Sequence, residues 1–278
     1  MKNLSKSFFL FGTMLLTSAT FAQDRQLVKV WETDSVFKVP ESVLFHPESK
    51  MLFVSNIDGK SGEKDLRGSI SRMNLDGKKI EHDWAINLSA PKGMGIHRQT
   101  LYVADVDEVV GIDVKSGKVS QRIPVKGAVF LNDITIDKAG AIYVSDSRTG
   151  NVHLIKNGNV STYLENQEGV NGLLSVDNDL YLLVKGTLWK SGKDKTLSKV
   201  AEGMDESTDG IEQMSNKDFI VSCWSGVIYH VKADGSKQEL LDTRSEKINS
   251  ADIGFDPKNN IIYVPTFFKN NVVAYQLK

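Results

Sequence analysis

The chain has 278 residues, and its 34 Lys and Arg against 35 Asp and Glu give a formal net charge of −1. This balance provides no basic surface for phosphates, so we expect no nucleic-acid partner. The single cysteine, Cys223, excludes an internal disulfide framework and a zinc site built from cysteines. An apolar core must therefore stabilise the fold, and the chain is long enough to form one.

The first 22 residues have the composition of a cleavable secretory signal. Lys2 and Lys6 form a basic start, residues 8–16 are apolar, and Ala22 ends a small-residue cleavage site. The apolar run is too short to span a bilayer, and no cysteine lies near the cleavage site, so we expect no membrane anchor. Cleavage would leave residues 23–278 as a single domain with a net charge of −3. We expect this domain in the periplasm or outside the cell.

The rest of the chain repeats one pattern six times. A polar or small residue precedes an apolar strand, and a second apolar strand with a small or polar end follows about ten residues later. "FLNDITIDKAGAIYVSD" and "NSADIGFDPKNNIIYVPT" are two of the copies. A third strand follows each copy, and a polar turn with a fourth strand follows most of them. Four short strands per repeat, without helical periodicity, are typical of propeller blades.

The spacing of the repeated position predicts the number of blades. We place this position at six residues whose successive spacings are 53, 38, 39, 38 and 42, namely Glu41, Met94, Asn132, Asn171, Asp209 and Ala251. The 28 residues from Ala251 onward are too few for four strands, whereas the N-terminal "RQLVKVWET" alternates like a strand. The sequence predicts an all-β, six-bladed β-propeller in which the N-terminal strand completes the last blade and closes the ring.

The first spacing is about twelve residues longer than the others, because residues 57–69 form a polar, glycine-rich insertion. Two interpretations stay open for this insertion. It forms either a loop beside the central channel or a surface insertion without a role in function.

Residues at one position near the start of the innermost strands converge on the axis of a propeller. Four of the six carry a side-chain oxygen, namely Glu41, Asn132, Asn171 and Asp209. Asn and Asp are poor strand formers, and a buried carboxylate needs a compensating partner. Carboxylate and amide oxygens are the ligands that Ca²⁺ prefers, so we predict one divalent cation held by these four residues. Zn²⁺ and Mg²⁺ are alternatives, although zinc suits a ring without His or Cys less well.

Turn formation is the alternative explanation for polar residues at strand starts. For the four oxygen-bearing positions we favour the metal site. The next residue in each copy fits the turn explanation better, and we predict a turn or backbone role for Asp133, Gly172, Gly210 and Asp252.

These motifs resemble the gluconolactonase/regucalcin (senescence marker protein) family of six-bladed β-propellers. The Glu of the first blade and the short motifs "LND", "VNG" and "TDG" occur in the family's order, across essentially all of residues 23–278. The resemblance implies that Glu41, Asn171 and Asp209 hold a divalent cation and that Asn132 contacts substrate or metal-bound water. It also implies hydrolysis of lactones or related esters, with Asp209 as the general base.

Phe130 is a departure from that family. Its sugar lactonases carry an Arg two residues before the "ND" Asn, and this chain has Phe130 there. The change disfavours an acidic sugar lactone and favours a more apolar lactone or ester as the small-molecule partner. Met94 and Phe130 would then line a partly apolar substrate pocket, although packing inside the channel explains Met94 equally well. A non-catalytic propeller that binds a small ligand or a protein at the channel mouth is the alternative function.

Overall fold

The computed structural model describes residues 25–278, so the predicted signal segment lies outside the described residues. The described chain forms 24 strands arranged in six four-stranded antiparallel sheets. The prediction of an all-β, six-bladed β-propeller is confirmed. No helix within residues 25–278 is long and apolar enough to cross a membrane.

The chain enters through β1 (Leu27–Glu32) and then builds five blades in succession. Blade 1 comprises β2 (Pro40–His46), β3 (Met51–Asn56), β4 (Gly68–Asn74) and β5 (Ile80–Leu88). Blade 2 comprises β6 (Pro91–His97), β7 (Thr100–Asp105), β8 (Glu108–Asp113) and β9 (Val119–Pro124). Blade 3 comprises β10 (Leu131–Ile136), β11 (Ile142–Asp146), β12 (Asn151–Lys156) and β13 (Asn159–Leu164).

Blade 4 comprises β14 (Val170–Val176), β15 (Asp179–Val184), β16 (Thr187–Ser191) and β17 (Leu197–Ala201). Blade 5 comprises β18 (Thr208–Gln213), β19 (Phe219–Cys223), β20 (Val227–Val231) and β21 (Lys237–Asp242). The last sheet contains β22 (Gly254–Asp256), β23 (Ile261–Pro265) and β24 (Val272–Leu277), and β1 pairs antiparallel with β24 at its edge. Two short 3₁₀ helices, Arg244–Glu246 and Phe267–Lys269, lie in loops.

The core lies between the blades. Six apolar clusters in residues 25–278 each join the facing sides of two neighbouring blades. Between blades 1 and 2, for example, Phe53 and Trp84 lie with ring centroids 5.1 Å apart and pack with Leu101. This burial is why the strands carry apolar residues on both faces, since each sheet is covered on both sides.

The first strand of each blade lies innermost, and the first strands of neighbouring blades contact one another from the last blade through blade 1 to blade 5. These inner strands all run in the same direction along the channel. Their first residues therefore meet at one mouth of the channel, and the loops that precede them surround it. This topology places the candidate site.

Candidate functional site

A β-bulge near the start of the inner strand is repeated in blades 1 to 5. The pairing of β10 with β11, for example, shifts between Leu131 and Ile134, so one extra residue lies on the inner strand. The other four blades shift at the corresponding place. Bulges re-aim side chains, which explains why Asn132 and Asp133 are tolerated inside a strand.

The residue that follows the first paired position of each inner strand forms what we call the mouth ring. It consists of Glu41, Lys92, Asn132, Asn171, Asp209 and, in the last blade, Ala251. The structure thus brings together the four oxygen-bearing residues selected from sequence. Five ring members, all except Ala251, line one cavity of about 320 Å³ at the mouth.

The assignment of Met94 to this ring is wrong by two residues. Pro91 and Met94 are the paired positions that flank the bulge in blade 2, so Lys92 occupies the register of Asn132. Met94 is buried and lines a second cavity of about 270 Å³, farther along the inner strands. The ring therefore contains a cation that the sequence interpretation missed. The signal was present, because "PESVLFH" and "PKGMGIH" align residue for residue from Pro to His.

The residues one place after the ring do not form turns. Asp133 lies inside β10, buried, and its Oδ2 accepts a hydrogen bond from Leu173 N of the next blade at 2.6 Å. Asp252 accepts a hydrogen bond from Ser42 Oγ of blade 1 at 2.5 Å. These carboxylates join neighbouring inner strands. The turn role predicted for them is corrected, because both side chains form hydrogen bonds across the interface between neighbouring blades.

Gly172 and Gly210 do have the predicted backbone role, and the reason is close approach. A Cβ on Gly172 would lie 2.1 Å from Asp209 O, and a Cβ on Gly210 would lie 2.5 Å from Asp252 Oδ1. Only glycine leaves room for the neighbouring inner strand at these positions.

Aromatic side chains form the outer wall of the cavity. Phe130, Trp224, Phe267 and Phe268 all line it. Trp224 and Phe267 meet edge to face with centroids 5.5 Å apart, and Phe267 and Phe268 do so at 4.8 Å. Trp224 is 39% exposed and Phe268 is 63% exposed, so this wall presents apolar surface at the mouth. Such a surface suits the apolar part of a small ligand.

Three bulky residues beside this wall have a strained backbone. Val39, Val106 and Phe267 have φ values of 55°, 60° and 50°, in the left-handed region that bulky residues avoid. All three pack with Ile57 and Ala90 in one apolar cluster at the mouth. Each such residue costs on the order of 1–3 kcal/mol, and strained residues of this kind are common at functional sites.

The insertion at residues 57–69 also reaches the mouth. Ile57 is 1% exposed, and both Ile57 and Ser61 line the cavity. Lys64 holds the loop to blade 2 through Asp107, with 2.8 Å from Nζ to Oδ1. Of the two interpretations of the insertion, the loop beside the channel describes its position.

Two cations lie over the ring of Phe130. Lys92 Nζ is 4.4 Å from the centroid of its ring, and the Arg148 guanidinium carbon is 4.8 Å from it. The buried carboxylate of Asp146 holds this loop by accepting hydrogen bonds from Val129 N at 2.7 Å and from Phe130 N at 3.2 Å. The position where the sugar lactonases carry Arg is thus apolar, but two positive charges lie next to it.

Burial controls the protonation of the charged ring members. It raises the pKa of Glu41 well above its usual value, and the charges of Asp209 and Asp252 add to this effect. Burial likewise raises the pKa of Asp209, with a further contribution from Asp252. Burial also lowers the pKa of Lys92 to about 8, against the opposing attraction of Glu41. Charge in this ring is therefore incompletely compensated.

Two acceptor oxygens in the ring have no hydrogen-bond partner although they are buried. They are Glu41 Oε2 and Asn171 Oδ1. The amide of Asn171 is oriented, because its Nδ2 donates to Asp209 Oδ1 at 2.8 Å. Asn132 is oriented in the same way through Nδ2 and Ser147 Oγ, 3.0 Å apart. Orphaned buried acceptors beside a carboxylate are what a hard cation requires, so these residues fit one.

The donor set nevertheless differs from a standard acidic metal site. In the part of the chain that the structure describes, no group of three or more His, Cys, Asp or Glu side chains converges on a metal position. A cation at the mouth would therefore depend on two carboxylates together with asparagine oxygens. This favours Ca²⁺ or Mg²⁺ over Zn²⁺.

Comparison with known proteins supports the fold and goes no further. A catalytically inactive variant of virginiamycin B lyase from Staphylococcus aureus, solved with quinupristin, has a TM-score of 0.63 at 13% identity, covering 92% of this chain and 99% of that one. A streptogramin B lyase has a TM-score of 0.66 at 12% identity, covering 92% and 98%. No family model matches the chain, and no curated protein matches it. The protein is a β-propeller, and its resemblance to the gluconolactonase/regucalcin family stays a prediction.

Proposed function

We propose that this propeller is a divalent-cation-dependent hydrolase of a lactone or ester with an apolar part, acting at the mouth ring. The observation that carries the proposal is the pair of buried, unpartnered acceptors, Glu41 Oε2 and Asn171 Oδ1, beside Asp209 in one cavity. Glu41, Asn171 and Asp209 would hold the cation, with Asn132 as a further ligand or substrate contact. Ca²⁺ is the first candidate, and Mg²⁺ and Zn²⁺ are alternatives.

The surrounding residues supply the remaining functions of a hydrolase. A bound cation would polarise the substrate carbonyl and stabilise negative charge on its oxygen. Asp209 would accept a proton from the attacking water through the carboxylate oxygen that Asn171 does not engage. The aromatic wall would bind the apolar part of the substrate and exclude water around the reacting group.

The alternatives follow from the same geometry. The fold accommodates enzymes, since two proteins that share it are lyases by name, but at 12% and 13% identity neither carries its activity to this chain. A non-catalytic binding propeller is the second candidate, because Lys92 gives the mouth a cation of its own. Secretion or a periplasmic location is part of the proposal and depends on the predicted signal segment.

The proposal is tested first by metal binding. Chelator-treated protein is titrated with Ca²⁺ by calorimetry and by thermal melting, in the wild type and in Glu41→Gln and Asp209→Asn. We expect one site in the wild type, a raised melting temperature, and at least about tenfold weaker binding in each variant, since each loses a charged ligand. Glu239→Gln is the matched control, because Glu239 is exposed on the outer strand of the same blade as Asp209.

Activity is tested second, on a panel of lactones and esters. Turnover in the wild type and its loss in Asp209→Asn would support the hydrolase. No bound metal by elemental analysis, with no melting shift on adding Ca²⁺, Mg²⁺ or Zn²⁺, would overturn cation dependence. Bound metal without turnover on any compound would favour the binding propeller.

A further inference from the structure

Lys92 is a buried ammonium group with too few partners. Its residue is 1% exposed, and its Nζ donates one hydrogen bond, to Ala90 O at 3.0 Å. A lysine ammonium has three donors, so two remain unused. In residues 25–278 no carboxylate lies within 4.0 Å of Nζ. Burying a charge in this way is unfavourable unless an anion or further acceptors complete its contacts.

Lys92 is one of the residues that line the cavity. Phe130 covers it at 4.4 Å from the ring centroid, and Arg148 covers the same ring at 4.8 Å. Glu41 attracts the ammonium but forms no direct ion pair with it. Lys92 and the aromatic wall line the same cavity. An anion and an apolar group on one small molecule would thus meet complementary surfaces within about 320 Å³.

The geometry points to Lys92 as the residue that binds a carboxylate of the substrate. The hydrophobic part of the substrate binds to Trp224, Phe267 and Phe268 of the aromatic wall. The substrate class is therefore an amphipathic carboxylic acid that also carries the lactone or ester group. This inference rests on the proposed function only in assigning a lactone or ester group to the ligand. Binding of the carboxylate is measured without turnover and does not depend on that assignment. The site inferred here differs from that of the sugar lactonases in its anion contact and in its pocket lining. The anion contact is a lysine of blade 2, and the pocket lining is aromatic.

The test compares two probes of nearly the same size and shape, phenylbutyrate and phenylbutyramide, which end in a charged carboxylate and a neutral amide. Their dissociation constants are measured by calorimetry and by quenching of tryptophan fluorescence, in chelator-treated protein and again with Ca²⁺. Chelation removes any direct contact between a bound cation and the probe. We expect the wild type to bind the acid at least about tenfold more tightly than the amide in both conditions, the range for a buried charge-assisted hydrogen bond.

The decisive variant is Lys92→Met, which keeps the volume of the side chain and removes its charge. We expect the preference for the acid to disappear in the chelated variant while amide binding stays within about twofold of the wild type. Lys118→Met is the matched control, because Lys118 is an exposed lysine of the same blade, in the turn between β8 and β9. This control should keep the full preference.

Several outcomes would overturn the inference. Equal binding of acid and amide by the wild type would do so, as would binding of neither probe at millimolar concentration. A preference that persists in chelated Lys92→Met would assign the anion contact to another group. If the variant instead only changes Ca²⁺ affinity, Lys92 is a counter-ion of Glu41 and no substrate contact. Failure of Ca²⁺ binding with an intact acid preference would overturn the proposed function and leave this inference standing.

Discussion

Gly172→Ala tests how tightly the inner strands of blades 4 and 5 are packed at the mouth. Gly172 follows the ring residue Asn171, and a Cβ there would lie 2.1 Å from Asp209 O and 2.8 Å from Leu183 Cδ1. Real Cβ atoms essentially never come closer than 3.0 Å to another heavy atom. The carbonyl belongs to the backbone and cannot rotate away, so the two inner strands must separate.

The expected cost follows from that overlap. Forcing a methyl group into a packed interior typically costs about 1–3 kcal/mol. For a domain of this size each kcal/mol corresponds to roughly 2–4 °C, so we expect the melting temperature to fall by about 2–12 °C. The same movement separates Asn171 from Asp209, whose Nδ2 to Oδ1 hydrogen bond is 2.8 Å long. We therefore also expect a smaller melting shift on adding Ca²⁺.

Differential scanning calorimetry of the chelated and the Ca²⁺-loaded protein measures both effects. Gly192→Ala is the matched control, because Gly192 follows β16 in the same blade and its Cβ would approach only the side-chain Oδ1 of Asp194, at 3.2 Å. If Gly172→Ala melted within 1 °C of this control, the reasoning about close approach of the inner strands would be refuted.

Three further predictions follow from other parts of the channel. Burial raises the pKa of Glu212 to about 8 from 4.5, so its protonated form is favoured by folding, and stability should fall as pH rises from about 4.5 to about 8. Glu212→Gln should remove up to about 5 kcal/mol of that fall in urea titrations across this range, and an unchanged pH profile in this variant would contradict the raised pKa. Asp146→Ala should destabilise the fold by about 3 kcal/mol in urea, because Asp146 accepts four backbone N–H groups around Phe130; a loss below about 1 kcal/mol would count against that anchoring. Phe268→Ala should leave the melting temperature unchanged, because Phe268 is 63% exposed. It should weaken phenylbutyramide binding about fivefold or more, and unchanged binding would exclude Phe268 from the ligand surface.

The fold was predictable from sequence because a repeated blade leaves a repeated pattern. Four strands recur at nearly constant spacing, and the alternation of turns and apolar segments needs no knowledge of tertiary contacts. Asn132, Asn171 and Asp209 were selected in the same way, since each breaks strand propensity at one register. The structure places them together because the fold is a closed ring.

The error at Met94 has a specific physical origin. A bulge adds one residue to the inner strand, and the alternation of inward and outward side chains is interrupted there. In blade 2 the pattern of a polar or small residue, then glycine, then an apolar residue fits both Lys92-Gly93-Met94 and Met94-Gly95-Ile96, and only the first triplet lies in the bulge. Aligning on Pro40 and Pro91 at the strand starts would have identified Lys92. The strained residues Val39, Val106 and Phe267 left no such signal, because a positive φ at a bulky residue is imposed by tertiary packing.

The ring residue of each blade and the residue that follows it have different roles, the first in chemistry and the second in structure. The second residue faces the next blade, so packing determines its identity. It is glycine where the neighbouring strand approaches closely, as at Gly93, Gly172 and Gly210. It is an aspartate where the side chain accepts a hydrogen bond from the next blade, as at Asp133 and Asp252. The first residue lines the cavity in five of the blades, and its type varies there among glutamate, lysine, asparagine and aspartate.

If this division is correct, substitutions in the mouth ring should change ligand binding at little cost in stability, whereas substitutions one residue later should destabilise the propeller. Lys92→Met and Gly93→Ala make the sharpest pair, since they are adjacent in sequence. A Cβ on Gly93 would lie 2.3 Å from Asp133 Oδ1 and 2.6 Å from Asp133 Cα. We expect Lys92→Met to melt within about 2 °C of the wild type and Gly93→Ala to melt several degrees lower. Equal melting temperatures for the two variants would show that the bulge does not separate the two roles.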